Sequence, residues 1–400
     1  MYRPTRKTAP PKTDNRDAFE KAADRAKGIF NTVRDAALKK ESAGGDEFFR
    51  AVRLNKPAEV ARLINAGFDP NMHDKNGNTA LHLAARANQG DLVALLLEKG
   101  ADPKRKCTGD MATRPVEDAV RFGAAQAIEV LVRHGGYVME RNEEGWSLLH
   151  LAAEKGKDDV IKALLHAGAD ANVRTHNGST PLLIAVARKQ TAAALALLND
   201  KAAVAGINLA HTDGDARKRN AFHVAVERGD VEVVSRMADL GAFVNAADAS
   251  GMTALMIAAE NTDKEMMSLL LQKGADPRLC DLHGRTALHI LAAQRMAGGR
   301  IKGELAELLV ACGADPDART RQGDTALHIL VEKPFGDDAI LRLHHLGARL
   351  DVQNNKGETP MMRAQQTGQG GNALALQECI PPLANTRVKE AIRQPKGPAP

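Results

Sequence analysis

Aromatic residues are scarce in this chain: among 400 residues they make up 3%, with one Trp and two Tyr. Large rings cannot fill a broad sheet core at that level, whereas the abundant Ala, Leu and Val suit thin, interlocking helical layers. Cysteine is equally sparse. Cys107, Cys280, Cys312 and Cys379 lie far apart with no CxxC pair, which speaks for a reducing compartment and against a disulfide framework. No apolar run approaches the roughly 20 residues a membrane-spanning helix needs. The basic N-terminus lacks the apolar stretch of a cleaved secretory signal. Phosphate-loop, HExxH, GxSxG and EF-hand patterns are also missing. The expectation is a non-catalytic protein with no cofactor and no metal.

What the chain has in quantity is a repeated heptapeptide. TALHLAA begins at Thr79, and SLLHLAA (147–153), TPLLIAV (180–186), NAFHVAV (220–226) and TALMIAA (253–259) follow it. TALHILA (286–292), TALHILV (325–331) and TPMMRAQ (359–365) complete the series, with a degenerate member, RPVEDAV, at 114–120. Aligned on their second residues, the copies step by 35, 33, 33, 40, 33, 33, 39 and 34 residues. A fixed period near 33 is the signature of stacked repeats, in which each unit packs on its neighbours, so one array can fill most of a long chain.

The clearest unit runs from Asp74 to Lys106. Asp74-Lys75-Asn76-Gly77 reads as a tight turn in which Gly supplies positive φ, and Thr79 as the cap of a first helix. Leu81, Ala84 and Ala85 are its packing residues. A second helix starting at Gly90 or Asp91 carries Leu92, Val93, Leu95, Leu96 and Leu97 toward the interlayer core, and Gly100 closes it in the left-handed conformation. These residues resemble the ankyrin repeat, DxxGxTPLHxAAxxGxxxxxxxLLxxGADxN. The resemblance spans about residues 46–384, some ten repeats including caps. It implies a mainly α, curved solenoid, each unit a β-hairpin finger followed by two antiparallel helices.

Flanking segments differ in composition. Residues 1–14 form a disordered basic tail, 15–45 an amphipathic helix and linker, and 385–400 a second disordered basic tail. The helix pattern at 15–40 fits docking on the first repeat or contact with an anionic membrane surface. Residues 1–45 carry a net charge of +5 and 384–400 carry +3, leaving −3 for the array. A mildly acidic array does not look like a nucleic-acid-binding solenoid.

The departures from the pattern are informative. RPVEDAV lacks both the Leu and the His, so a less regular repeat is expected there. The 40-residue step places extra sequence around Lys201–Arg219, expected as an extended second helix and a longer finger, and the 39-residue step places Arg295–Gly303 between two helices, expected as an exposed loop. Arg363, Gln365 and Gln366 give the last repeat the polar face of a cap. His82, His150, His223, His289 and His328 share one motif position; successive layers stand about 10 Å apart, too far for a shared metal ion, so each imidazole is expected to bond backbone in the neighbouring turn.

The ankyrin resemblance implies a partner protein bound on the concave face of fingers and first helices. Carried over residue by residue, the candidate contacts are Lys75, Asn76, Asn78, Arg86, Phe122, Glu143, Glu144, Trp146, Glu154 and Lys155. His176, Arg188, Arg217, Lys218, Arg219, Arg228, Met252, Leu282 and Arg285 continue the set. Trp146 occupies a polar finger position, where it either anchors a partner or covers the stem of the adjacent finger. A monomeric, cytoplasmic interaction scaffold is the main reading. A translocated bacterial effector acting inside a host cell and a membrane-surface adaptor working through residues 15–40 are the alternatives.

Overall fold

The computed structural model describes residues 45–379 apart from 109–111, 136–140, 202–203, 205, 209–217, 296–298, 334–335 and 368–369. Both basic tails, most of the 15–45 segment and much of the insertion around Lys201–Arg219 therefore lie outside the described residues. The chain divides into two compact units, Met1–Gly136 and Tyr137–Pro400, each built from stacked helix pairs.

The first unit contains α1 (45–53), α2 (Pro57–Asn65), α3 (Ala80–Arg86), α4 (Gly90–Glu98), α5 (Pro115–Phe122) and α6 (Ala125–Arg133). First helices pack on first helices and second on second: α3 lies against α5, and α4 against α2 and α6. The open end of the stack is sealed by Phe48, whose ring sits 5.4 Å from Phe49 and 6.4 Å from Phe68. Leu92, Val93 and Leu96 are fully buried, whereas Leu95 and Leu97 are half-buried. A helix layered between two neighbours hides one stripe completely and its flanks only in part.

Among the described residues, the two helices of the repeat containing RPVEDAV are as regular as those of its neighbours, contrary to expectation. Pro115 opens the helix, where its missing N–H costs nothing. Glu117, in the histidine position, accepts the Arg114 amide at 3.1 Å. Asp118 is buried and accepts the Thr113 hydroxyl at 2.9 Å and the Arg86 guanidinium at 2.8 Å.

The second unit continues with α7 (Leu148–Glu154), α8 (Asp158–His166), α9 (Pro181–Ala187), α10 (Thr191–Leu198), α11 (Ala221–Arg228) and α12 (Val231–Asp239). Then come α13 (Ala254–Glu260), α14 (Lys264–Gln272), α15 (Ala287–Ala293), α16 (Gly299–Ala311), α17 (Ala326–Leu330), α18 (Asp337–His345), α19 (Pro360–Thr367) and α20 (Gly370–Glu378). Asparagines stitch successive layers together. Asn245 donates to Gly274 O at 3.0 Å and accepts the Asp276 amide at 2.8 Å, and Asn71 makes the same pair of bonds to Gly100 and Asp102 in the first unit.

Two further expectations are corrected. The described part of the second insertion is not an exposed loop: Gly299–Gly303 lengthens α16, and Lys302 and Gly303 are buried. Arg363 does not face outward on the last repeat. Its side chain is 12% exposed and reaches back to Asp324 and Glu358, each at 3.0 Å, because acids of the preceding finger and its own finger leave a site for one cation. Asn372 adds bonds to Val331 O and Lys333 O at 3.0 and 2.7 Å, pinning the loop before α18.

Candidate protein-binding surface

Each finger is a small hairpin whose first residue organises the rest. Asp74 Oδ1 accepts the amides of Asn76 and Asn78, both at 2.9 Å. Asn142, Asp248, Asp281 and Asn354 do the same for their own fingers. Single antiparallel bridges close two of the hairpins, His73–Thr79 and Ala247–Thr253. The fingers also bond to one another: the second residue donates its amide to the third residue of the preceding finger. His176 N–H reaches Glu144 O at 3.1 Å, Leu282 N–H reaches Ser250 O at 3.1 Å, and Arg321 N–H reaches His283 O at 2.9 Å. Such close approach needs glycine at the fourth position. Gly251 has φ +79°, and a Cβ there would stand 2.7 Å from the Leu282 nitrogen.

This geometry sorts the candidate contacts. Second and third positions project outward, so Lys75, Asn76, Glu143, Glu144, His176 and Leu282 are all exposed. Lys75 reaches Asp46 at 3.0 Å. Fifth positions turn back on the stem. Asn78 and Met252 are buried, at 7% and 9% exposure, which corrects their expected place on the outer surface. Arg285 bonds Asp281 at 2.7 Å. Trp146 is half-buried, its ring 5.9 Å from the His150 ring at a tilt of 52°.

First-helix candidates divide similarly. Phe122 is 60% exposed with the Arg86 guanidinium 5.8 Å from its ring centre, and half-buried Arg86 also holds Asn78 and Asp118. Glu154 bridges Lys155 at 3.5 Å and Arg188 at 3.1 Å. Lys218 and Arg228 are exposed. Arg219 is half-buried against Glu227 at 2.9 Å, and Arg217 lies outside the described residues. Phe243 was missed: it is 66% exposed and stands where the repeat pattern has the Asp of GAD, an apolar residue in a polar position that could have revealed it.

The motif histidines are internal. Nδ1 of His82 accepts the Thr79 amide at 3.3 Å, and its Nε2 lies 2.8 Å from Thr113 O of the next finger. His150, His289 and His328 repeat the arrangement with Ser179, Asp324 and Glu358. His223 reaches Ala246 O at 2.9 Å. Burial holds all five imidazoles below their ordinary pKa, His150 at about 4. At His82, His150, His289 and His328 Nδ1 accepts an N–H, so the neutral tautomer with its proton on Nε2 fits these four sites; at His223 Nδ1 faces Asn220 Oδ1 at 2.6 Å instead.

Fingers followed by antiparallel helix pairs, repeated at a fixed period, define a helical repeat protein of the solenoid type. The family model for ankyrin repeats (3 copies) matches residues 48–107, 116–213, 203–281 and 222–315. The chain belongs to the ankyrin-repeat family. Among curated proteins it is similar to the E3 ubiquitin-protein ligase KEG of Arabidopsis thaliana, 29% identical over 54% of this chain and 12% of that protein. It is also similar to the putative palmitoyltransferase ZDHHC13 of Danio rerio, 27% identical over 53% of this chain and 32% of that one. The NF-kappa-B inhibitor cactus of Drosophila melanogaster is 35% identical over 31% of this chain and 24% of its own length. The chain thus spans about a third or less of these relatives. Among solved structures, the ankyrin repeat domain of Bcl-3 is 25% identical, with TM-score 0.47 over 58% of this chain and 99% of that one. Among the described residues, no helix is long and apolar enough to cross a membrane.

Proposed function

We propose that this chain is a non-catalytic scaffold that holds a partner protein against the fingers and first helices of its second unit. The observation that carries the reading is the finger register. Main-chain bonds between neighbouring fingers fix the backbone, so Glu143, Glu144, His176 and Leu282 are presented on a frame that loses little entropy on binding. Trp146 supplies the large, half-packed aromatic that commonly anchors such contacts. Free cysteines at all four positions support a reducing, intracellular setting.

The test is affinity capture from a cell lysate followed by mass spectrometry. A chain carrying Trp146→Ala, Glu143→Ala, Glu144→Ala and Leu282→Ala should lose the captured partner at least tenfold while its unfolding midpoint stays within about 3 °C. Recovery of the same partner in the same yield by that variant would overturn the assignment of this face.

A further inference from the structure

The second helix of the repeat over 281–319 starts earlier than its counterparts. α16 has 13 residues, whereas α8, α12 and α14 each have nine. The added turn reads Gly299-Arg300-Ile301-Lys302-Gly303. Within it Lys302 is 1% exposed, and its Nζ has no hydrogen-bond partner. Its charged neighbour is Lys333, also a cation. Asp337 on α18 is exposed, and the other acids on the surrounding elements are engaged elsewhere. Glu304 pairs with Lys264 and Arg300 at 3.1 and 3.2 Å, and Glu307 and Asp338 pair with Arg342 at 2.7 and 2.9 Å. Glu332 faces Arg363 at 3.5 Å.

Burying an ammonium without a counter-charge is costly, as is leaving a buried donor unmet. The local backbone adds to the positive potential. The first four amides of a helix have no acceptor within it, and the helix dipole places its positive end there. Helical side chains lean toward the N-terminus, so Lys302, fourth in α16, carries its ammonium back over that turn. A helix start and a buried lysine without a partner share this turn, with a second lysine as its charged neighbour, and among the described residues no acid is paired with either lysine. We propose that the first turn of α16 and Lys302 bind a small oxyanion, a phosphate or a carboxylate, with Lys333 as the second cation. This is a ligand site separate from the finger face, and it stands or falls independently of the scaffold reading.

Thermal unfolding of the full chain in sodium phosphate, sodium acetate and sodium chloride at matched ionic strength tests it, with Lys302→Met beside the natural chain. At saturation the natural chain should gain about 5 °C over its chloride value, and Lys302→Met, which keeps the apolar stem, should gain none of that increment. A gain in phosphate alone assigns a phosphate site, and an equal gain in acetate assigns a carboxylate site. Equal responses of the two chains would overturn the proposal and leave Lys302 a buried neutral amine. If Lys302→Met does not fold, equilibrium dialysis of the natural chain against labelled phosphate and labelled acetate decides. One equivalent of either bound supports the site, and none of either overturns it.

Discussion

Five repeats carry histidine at the third helical position, and four carry Glu117, Leu183, Met256 or Met362 there. The helices are alike in length and capping, so the frame tolerates either kind of tie. In the histidine repeats one ring joins a helix cap to a carbonyl of the next finger, as His289 joins Thr286 to Asp324 O at 3.1 Å. In the apolar repeats Leu183 and Met256 are simply packed, at 8% and 1% exposure. Both satisfy the core; only the first makes the core sensitive to protons.

The largest expected effect therefore comes from acid. Each buried histidine has a folded pKa below its unfolded value, so the unfolded chain takes up protons first as pH falls. Stability is full above about 6.5 and is lost progressively below it. For His150 the window runs down to a folded value of about 4, and it costs about 3 kcal/mol at the lower end. Urea midpoints measured from pH 7.5 to 4.5 should hold down to about pH 6.5 and fall steadily below it. His150→Leu, which copies the TPLLIAV repeat, should be less stable than the natural chain at pH 7.5 and should lose less of its stability on acidification. A pH slope unchanged by this substitution would remove the distinction between the two kinds of repeat.

A smaller loss is expected where an acid replaces the histidine tie. Asp118 meets both the Thr113 hydroxyl and the Arg86 guanidinium, and Arg86 in turn holds Asn78 at 2.9 Å. Asp118→Ala leaves a buried hydroxyl and a half-buried cation unmatched, and should cost about 2 kcal/mol in chemical denaturation. The effect should be confined to the first unit, and amide exchange there should rise around 113–118. If exchange stays as slow as before, the Asp118 bonds are not what holds this repeat to its neighbour.

The frame itself was legible in the sequence because it depends on local rules. The period, the Thr79 cap, the left-handed glycines and the backbone-bonded histidines all follow from residues within one unit and its copy. The surface was less legible. Asn78 and Met252 look like outward finger residues, yet an Asx turn rotates the fifth position toward the stem, and the neighbouring finger then covers it. Arg363 turned inward because Asp324 of the preceding repeat and Glu358 of its own finger together offer a site for one cation. Lys302 became buried because the insertion chose helix over loop, a choice that no residue count reveals. In each case the deciding contact comes from another repeat.

The repeats also differ in the loop between their helices, though not by the kind of tie. After the His150, His223 and Glu117 helices the loop residue is Gly156 at φ +67°, Gly229 at φ +73° or Gly123 at φ +79°, whereas after the His82, Leu183 and Met256 helices it is Asn88 at φ +54°, Lys189 at φ +56° or Thr262 at φ +53°. Left-handed backbone strains any side chain, and a β-branched one most. Glycine removes that strain but gives back part of the gain as unfolded-chain entropy. Thr262→Gly should therefore stabilise the chain by about 1 kcal/mol, seen as a rise of about 3 °C in the unfolding midpoint, and Lys189→Gly by rather less. If Thr262→Gly is neutral or destabilising, its methyl or hydroxyl must contribute packing or bonding that offsets the strain, and the repeats without glycine would then be as well adapted at this loop as those with it.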